Sequence, residues 1–345
     1  MEKIFNKVFN KTVKSSEIHE AVLYVENSEG DFKEHYSYGG KKIDTPMIAA
    51  SVTKLFTTAC ILKLYEQGTL LLNDKISSYL DNELLRGLHL FKGRDYSFDL
   101  TISNLLYQTS GLPDEFESSS NSVTLKRYLE EDIEFGLETV VNTTKTLKPH
   151  FAPEGRRAYY SNINFDLLGK IIENVTGEPL AEVFKIFVFQ PLGMKNTYLP
   201  TDDKDFVPVI YYKNIKLERP KLIASCGASG GCVTTPNDLM LFSKGFWKGK
   251  LFDGKILNQL AEYRKLQFSK GPITYGGGYM RINVGGLLTM FMGKGELLGH
   301  SGSTGSFAFY YPYKDLYIVG DLNQMANPAL PIRLLLKLAM EAKNI

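Results

Sequence analysis

IAASVTKLFTTACILKLYEQG, residues Ile48–Gly68, is the stretch on which the reading of this chain turns. From Ser51 onward its apolar residues recur with helical spacing, and Gly68 is a natural C-terminal stop. The helix so expected, from about Ser51 to Gln67, carries Ser51 and Lys54 one turn apart on a single face. A serine hydroxyl is a weak nucleophile until a base takes its proton, and a lysine kept neutral by a water-poor, positive environment can be that base. A helix N-terminus provides such an environment, because its unpaired N–H groups and dipole favour an alkoxide and disfavour an ammonium. Ser-x-x-Lys alone decides nothing, since it arises by chance in most chains of this length.

Two further segments give it weight. Tyr160-Ser161-Asn162 precedes a second amphipathic stretch, and His300-Ser301-Gly302 lies in a glycine-punctuated, strand-like run near the C-terminus. In the order Ser-x-x-Lys, Tyr-x-Asn, His-x-Gly, the chain resembles the serine β-lactamase and penicillin-binding protein superfamily. The likeness is strongest to its class C-like branch of β-lactamases, D,D-peptidases, D-amino-acid peptidases and esterases. It extends through blocks at 48–80, 101–113 (TISNLLYQTSGLP), 160–177 (YSNINFDLLGKIIENVTG), 227–238 (GASGGCVTTPND) and 299–305 (GHSGSTG).

The bulk properties set limits. A chain of 345 residues with 43% apolar content can bury a large core. A net charge of +2, with basic residues scattered in short pairs such as Lys41-Lys42 and Arg156-Arg157, argues against a nucleic-acid partner. The five histidines and three cysteines show no metal-ligand spacing, and no metal or cofactor is expected. Cys60, Cys226 and Cys232 are expected as reduced thiols, which fits a reducing, cytoplasmic compartment. In the N-terminal segment Lys7 and Lys11 interrupt any apolar export signal, and no run approaches the length of an integral membrane segment. Ile4, Phe5, Val8 and Phe9 share one helical face, which could rest on a membrane surface, but the resemblance implies a first helix packed on the sheet. Three Asn-x-Thr triplets carry little weight without a secretory signal.

Ala21–Val25 and Tyr36–Tyr38 read as strands joined by a turn at Ser28–Asp31. Strands return from Tyr275, at Tyr279–Asn283, Leu287–Met292, from His300, at Ser306–Tyr311 and at Leu316–Asp321, before a terminal helix from Leu330 to about Lys343. The fold class expected is α+β, with an antiparallel sheet flanked by helices and an inserted, mostly helical region. Residues 1–68 and 201–345 would form the sheet domain and residues 69–200 the helical one, with the active site between them.

The resemblance implies roles. Ser51 would be the acylated nucleophile, with Lys54 and Tyr160 as a jointly titrating proton-handling pair whose base is left open. The N–H groups of Ser51 and Ser303 would form the oxyanion hole. Asn162 would orient a substrate amide or hold Lys54, while Gly302 and Gly305 would let substrate approach the strand backbone. Bland readings stand beside these: Tyr160 as one of 20 tyrosines, His300 as a satisfied histidine beside a turn, Ser110–Pro113 as a structural turn. Gln108 stands where many relatives carry histidine, a change read as packing. The glycines at 227–231 lack phosphate-loop spacing and read as close packing near the cleft.

His300 is the departure that matters most, because β-lactamases and D,D-peptidases usually carry lysine there. A histidine, with an ordinary pKa of about 6.5, is largely neutral near pH 7, so a substrate carboxylate loses its fixed cation. The expected partner is therefore a small-molecule or short-peptide substrate, a small ester or D-configured amide, with weak β-lactam turnover. The oligomeric state is left open. A covalent penicillin-binding sensor with little turnover, and a non-catalytic scaffold of the same fold, are the alternatives.

Overall fold

Short runs rich in β-branched and aromatic residues, drawn from both ends of the chain, pair into one antiparallel sheet. The computed structural model describes residues 2–116, 123–153, 157–289 and 292–342. Its main strands are β1 (Ala21–Asn27), β2 (Lys33–Tyr38), β3 (Arg264–Lys265), β4 (Ile273–Gly276), β5 (Tyr279–Asn283), β6 (Glu296–Ser301), β7 (Ser306–Tyr311) and β8 (Leu316–Asp321). They form an eight-stranded sheet in the order β2-β1-β8-β7-β6-β5-β4-β3. The register pairs Val22 with Asp321 and Asn27 with Leu316, so the N-terminal hairpin is zipped to the last strand. This is the α+β architecture expected.

Helix α1 (Glu2–Val13) rests against β2 and against the terminal helix α5 (Leu330–Glu341). Phe5 and Phe9 are buried there, meeting Phe32 edge-on and Tyr36 in a stack, so the apolar face of α1 is used by the fold. The Ile4 side chain lies outside the described residues. On the other face of the sheet lie α2 (Thr53–Glu66) and α4 (Pro236–Trp247), and α3 (Ile163–Thr176) packs against α2 from the helical side. Phe56 of α2 meets the rings of Phe184, Phe189 and Phe242 edge-on. Truncating such a ring to alanine costs about 3–5 kcal/mol.

A buried ion cluster ties the chain's two ends together. Lys41 Nζ donates to Glu20 Oε1 at 2.9 Å and to Asp321 Oδ2 at 2.6 Å, and Asn323 Nδ2 adds a bond to Glu20 at 2.7 Å. The two carboxylates hold the Lys41 ammonium above its ordinary pKa against the opposing effect of burial.

Several elements differ from expectation. Ser51 sits in a one-turn 3-10 segment, Ala50–Val52, and the α-helix proper starts at Thr53. The returning strands begin at Arg264 rather than Tyr275. No strand covers Leu287–Met292 within the described residues: Gly286–Thr289 is a short 3-10 turn, and residues 290 and 291 lie outside the description. A short apolar run between glycines has no periodicity to separate strand from turn, and here the Thr289 hydroxyl closes the loop on Val284 O at 2.7 Å. The strand thought to begin at His300 instead ends at Ser301, because Gly302–Gly305 turns the chain into β7. Helix α5 ends at Glu341, and Lys343 lies outside the described residues.

Candidate active site

The residue before the nucleophile is strained. Ala50 has φ +45°, a left-handed conformation that costs a non-glycine residue about 1–2 kcal/mol, and it lifts Ser51 out of the incoming strand. Ala49 N–H donates to Cys232 O at 2.8 Å, while Thr304 and Ser306 hydroxyls donate to Ile48 O and Ala49 O at 3.3 and 2.6 Å. The last two bonds hold the 302–305 turn and the start of β7 against the backbone leading to Ser51. Gly302 has no room for a side chain, since a Cβ there would lie 2.2 Å from Ser306 Oγ and 2.7 Å from Ala49 O. Ser303 is the exposed tip of the turn.

Lys54 is buried in the first turn of α2, and its amine is fully engaged. Nζ donates to Ser229 O at 2.6 Å, to Asn162 Oδ1 at 2.7 Å and to Ser51 Oγ at 3.4 Å. Three acceptors match the three protons of an ammonium. The amine also lies 5.1 Å from the centre of the Tyr160 ring. Ser51, Lys54, Tyr160 and Asn162, separated by more than a hundred residues in the chain, are thus brought together.

Tyr160, Ser161 and Asn162 are held by their backbone. Their successive N–H groups donate to the side-chain oxygens of Gln267 (2.9 Å), Gln108 (2.9 Å) and Asp114. Gln108 Oε1 also accepts from Asn164 Nδ2 at 2.5 Å, and Gln108 itself adopts φ +58°. The change at this position is therefore a specific hydrogen-bonding support for the Tyr-Ser-Asn block, rather than packing alone. Asn162 leads into α3 without capping it, since its side-chain oxygen is committed to Lys54.

His300 closes the sheet side. It is buried, with Nδ1 at 2.8 Å from Ser301 O. A carbonyl can only accept, so Nδ1 carries the proton and Nε2 is a bare acceptor. Nε2 has no hydrogen-bond partner among the described residues, and the ring faces those of Tyr160 and Tyr275 at 5.9 and 5.8 Å. Burial, then the charges of Lys54 and Lys270, push the imidazole well below its ordinary pKa. The neutral form expected from sequence is the one this environment enforces.

Five contributors escaped sequence reasoning. Ser229 acts through a backbone carbonyl, which no letter specifies, although the small residues at 227–231 signal the close approach: Thr57 Oγ1 also reaches Ala228 O at 2.7 Å. Gln267 and Lys270 lie on the turn between β3 and β4, and the Lys270 amine sits 4.6 Å from the Tyr160 ring centre. Asp114 and Asp166 are carboxylates behind the site. Burial pushes Asp166 up to about 7, with the Asp114 charge adding to that and the Ser229 hydroxyl and Lys54 opposing it.

This architecture is β-lactamase/transpeptidase-like, with the buried lysine between a sheet and a helical layer. The chain belongs to the Beta-lactamase family, a family of serine hydrolases, whose model matches residues 26–338. It is 29% identical over 235 residues to the D-alanyl-D-alanine-carboxypeptidase/endopeptidase AmpH of Escherichia coli K12, covering 66% of this chain and 57% of AmpH. The matched region thus spans little more than half of that relative. Among solved structures, the D-amino acid amidase of Ochrobactrum anthropi SV3 superposes with TM-score 0.78 at 20% identity, covering 99% of this chain and 100% of that one. A D-stereospecific amidohydrolase from a Streptomyces species gives TM-score 0.77 at 22% identity, over 94% and 95%. At such identities these likenesses concern the fold. No helix among the described residues is long and apolar enough to cross a membrane.

Proposed function

We propose that this chain hydrolyses small esters or D-configured amides through an acyl-enzyme on Ser51. The observation that carries the reading is the Lys54 amine, 3.4 Å from the Ser51 hydroxyl and fixed by Asn162 and Ser229. Ser51 Oγ attacks the substrate carbonyl carbon while its proton passes to the Lys54–Tyr160 pair, which returns it to the leaving group. The same pair then draws a proton from the water that frees the acyl group, each transfer contributing roughly 10²–10⁴ in rate. The N–H groups of Ser51 and Ser303 receive the oxyanion, and losing one such donor would cost about 3–4 kcal/mol. Contact between the 302–305 turn and residues 48–49 supports that pairing.

The neutral His300 leaves the strand without a fixed cation, which favours esters and amides that lack a carboxylate there. A panel of p-nitrophenyl esters, D-aminoacyl amides and nitrocefin, assayed with wild type and Ser51→Ala, tests the reading. Turnover of an ester or D-amide with slow nitrocefin cleavage, all abolished in Ser51→Ala, is expected. Equal rates in the two proteins would refute it.

A further inference from the structure

Beside the Tyr-Ser-Asn block lies a cavity of about 540 Å³, built from none of the residues that bond to Ser51 or Lys54. One wall is the segment leading to Tyr160, with Phe151, Arg157 and Tyr159. The other is β3 and the turn after it, with Lys265, Gln267 and Phe268. That volume is ample for a small organic molecule.

The first wall is fixed before anything binds. His150 N–H donates to Gly111 O and Tyr159 N–H to Gln108 O, both at 2.9 Å. The His150 ring stacks on that of Tyr159 with centres 3.5 Å apart. Gly111, at φ +76°, lets Phe151 O come so near that a Cβ would lie 2.1 Å from it. The Arg157 guanidinium rests 4.9 Å from the centre of the Phe151 ring, which limits the directions its fork can take.

The chemistry of the lining is one-sided. Arg157 and Lys265 are cations, and no acid lines the cavity among the described residues. Lys270, on the same turn as Gln267 and Phe268, brings another amine to 4.6 Å from the Tyr160 ring centre. Phe268 is 95% exposed, so its ring is apolar surface that a flat ligand could cover.

We propose that this cavity binds a small aromatic carboxylate, with its ring against Phe151, Tyr159 and Phe268 and its carboxylate taken by Arg157 and Lys265. A guanidinium fork matches the two oxygens of a carboxylate. The occupant is felt at the candidate active site, because Gln267 lines the cavity and its Oε1 accepts the Tyr160 N–H at 2.9 Å. His300 offers no cation on the strand wall, so negative charge is read on this side of Tyr160 instead. The carboxylate arrives either on the leaving group of an ester or amide, which rests on the hydrolase reading above, or as a free acid, which does not.

The binding test is isothermal titration calorimetry of Ser51→Ala, which cannot consume an ester in the reading above, with p-hydroxybenzoate and with its neutral methyl ester. The acid should saturate with a Kd on the order of 1 mM or below. It should bind about tenfold tighter than the methyl ester, since an exposed ion pair is worth up to about fivefold and two act here. Adding Arg157→Gln and Lys265→Gln together should abolish the preference, and Phe268→Ala should weaken both compounds. Melting curves check the folding of each variant, and if the pair of glutamines misfolds, Lys265→Gln and Phe268→Ala alone decide.

Steady-state kinetics of wild type then separates the two sources. A KM for p-acetoxybenzoate several-fold below that of its methyl ester assigns the cavity to the leaving group. Equal KM values, with free p-hydroxybenzoate altering kcat for p-nitrophenyl acetate, assign it to a free acid. No saturable binding, equal affinity for the neutral ester, or a preference that survives loss of both cations would overturn the proposal. An active Ser51→Ala would sink the hydrolase reading and leave the binding result standing.

Discussion

The two walls of the cleft hold their polar groups in opposite ways. On the helical wall, Lys54 donates to Ser51, Asn162 and Ser229. On the strand wall, the His300 ring is stripped of hydration, bonded among the described residues to its neighbour's carbonyl alone, and neutral. Burial disfavours charge on both sides. The difference is that the helical wall offers hydrogen-bond acceptors, while the strand wall offers aromatic rings. One wall therefore satisfies a buried amine with acceptors, and the other encloses a neutral imidazole among rings.

Lys54→Met should break this contrast most completely. It removes the buried amine and leaves Asn162 Oδ1 and Ser229 O without their donor. A fall of at least about 10³-fold in kcat/KM is expected, with destabilisation of about 1–3 kcal/mol from the buried acceptors left without a donor. Steady-state kinetics and urea unfolding check both. Asn162→Ala comes next, since it deprives the ammonium of one acceptor while sparing the rest. Its cost, about 1–3 kcal/mol, corresponds to roughly 10–100-fold in kcat/KM.

His300→Gln sharpens the comparison from the other side. Because the imidazole is already neutral, the variant should keep kcat/KM within a few-fold and leave the pH dependence between 5.5 and 8 unmoved. A pH limb that vanished with His300 would show that the strand wall does carry charge. The smallest effect concerns stability. With its folded pKa depressed, His300 resists a proton that the unfolded chain accepts below about 6.5, so its share of stability is complete above that pH and declines as pH falls. His300→Gln should therefore melt relatively better at pH 5.5 than at 7.5 when each is compared with wild type.

What the letters disclosed follows the same division. Ser51 and Lys54 were legible because helical spacing brings them together, and the strands at both ends because they are short β-branched and aromatic runs bounded by turn residues. Tyr160 and Asn162 needed the family resemblance, since nothing in Tyr-Ser-Asn by itself says that three side chains hold its N–H groups. Ser229 was invisible because its contribution is a carbonyl oxygen. Asp166 reads as an ordinary acid in a first helical turn, where the dipole would favour its charge, until packing reveals how little water reaches it. Leu287–Met292 failed for another reason, that an apolar run between glycines has no period to read.

The most direct measurement is intact-mass analysis with a fluorophosphonate and with an activated ester, followed over time and mapped by peptide digestion. A single stoichiometric adduct on Ser51, lasting with the phosphonate and transient with the ester, is the expected result. A lasting ester adduct would mean a covalent sensor, and unmodified protein, or label on a residue other than Ser51, would contradict catalysis at this serine.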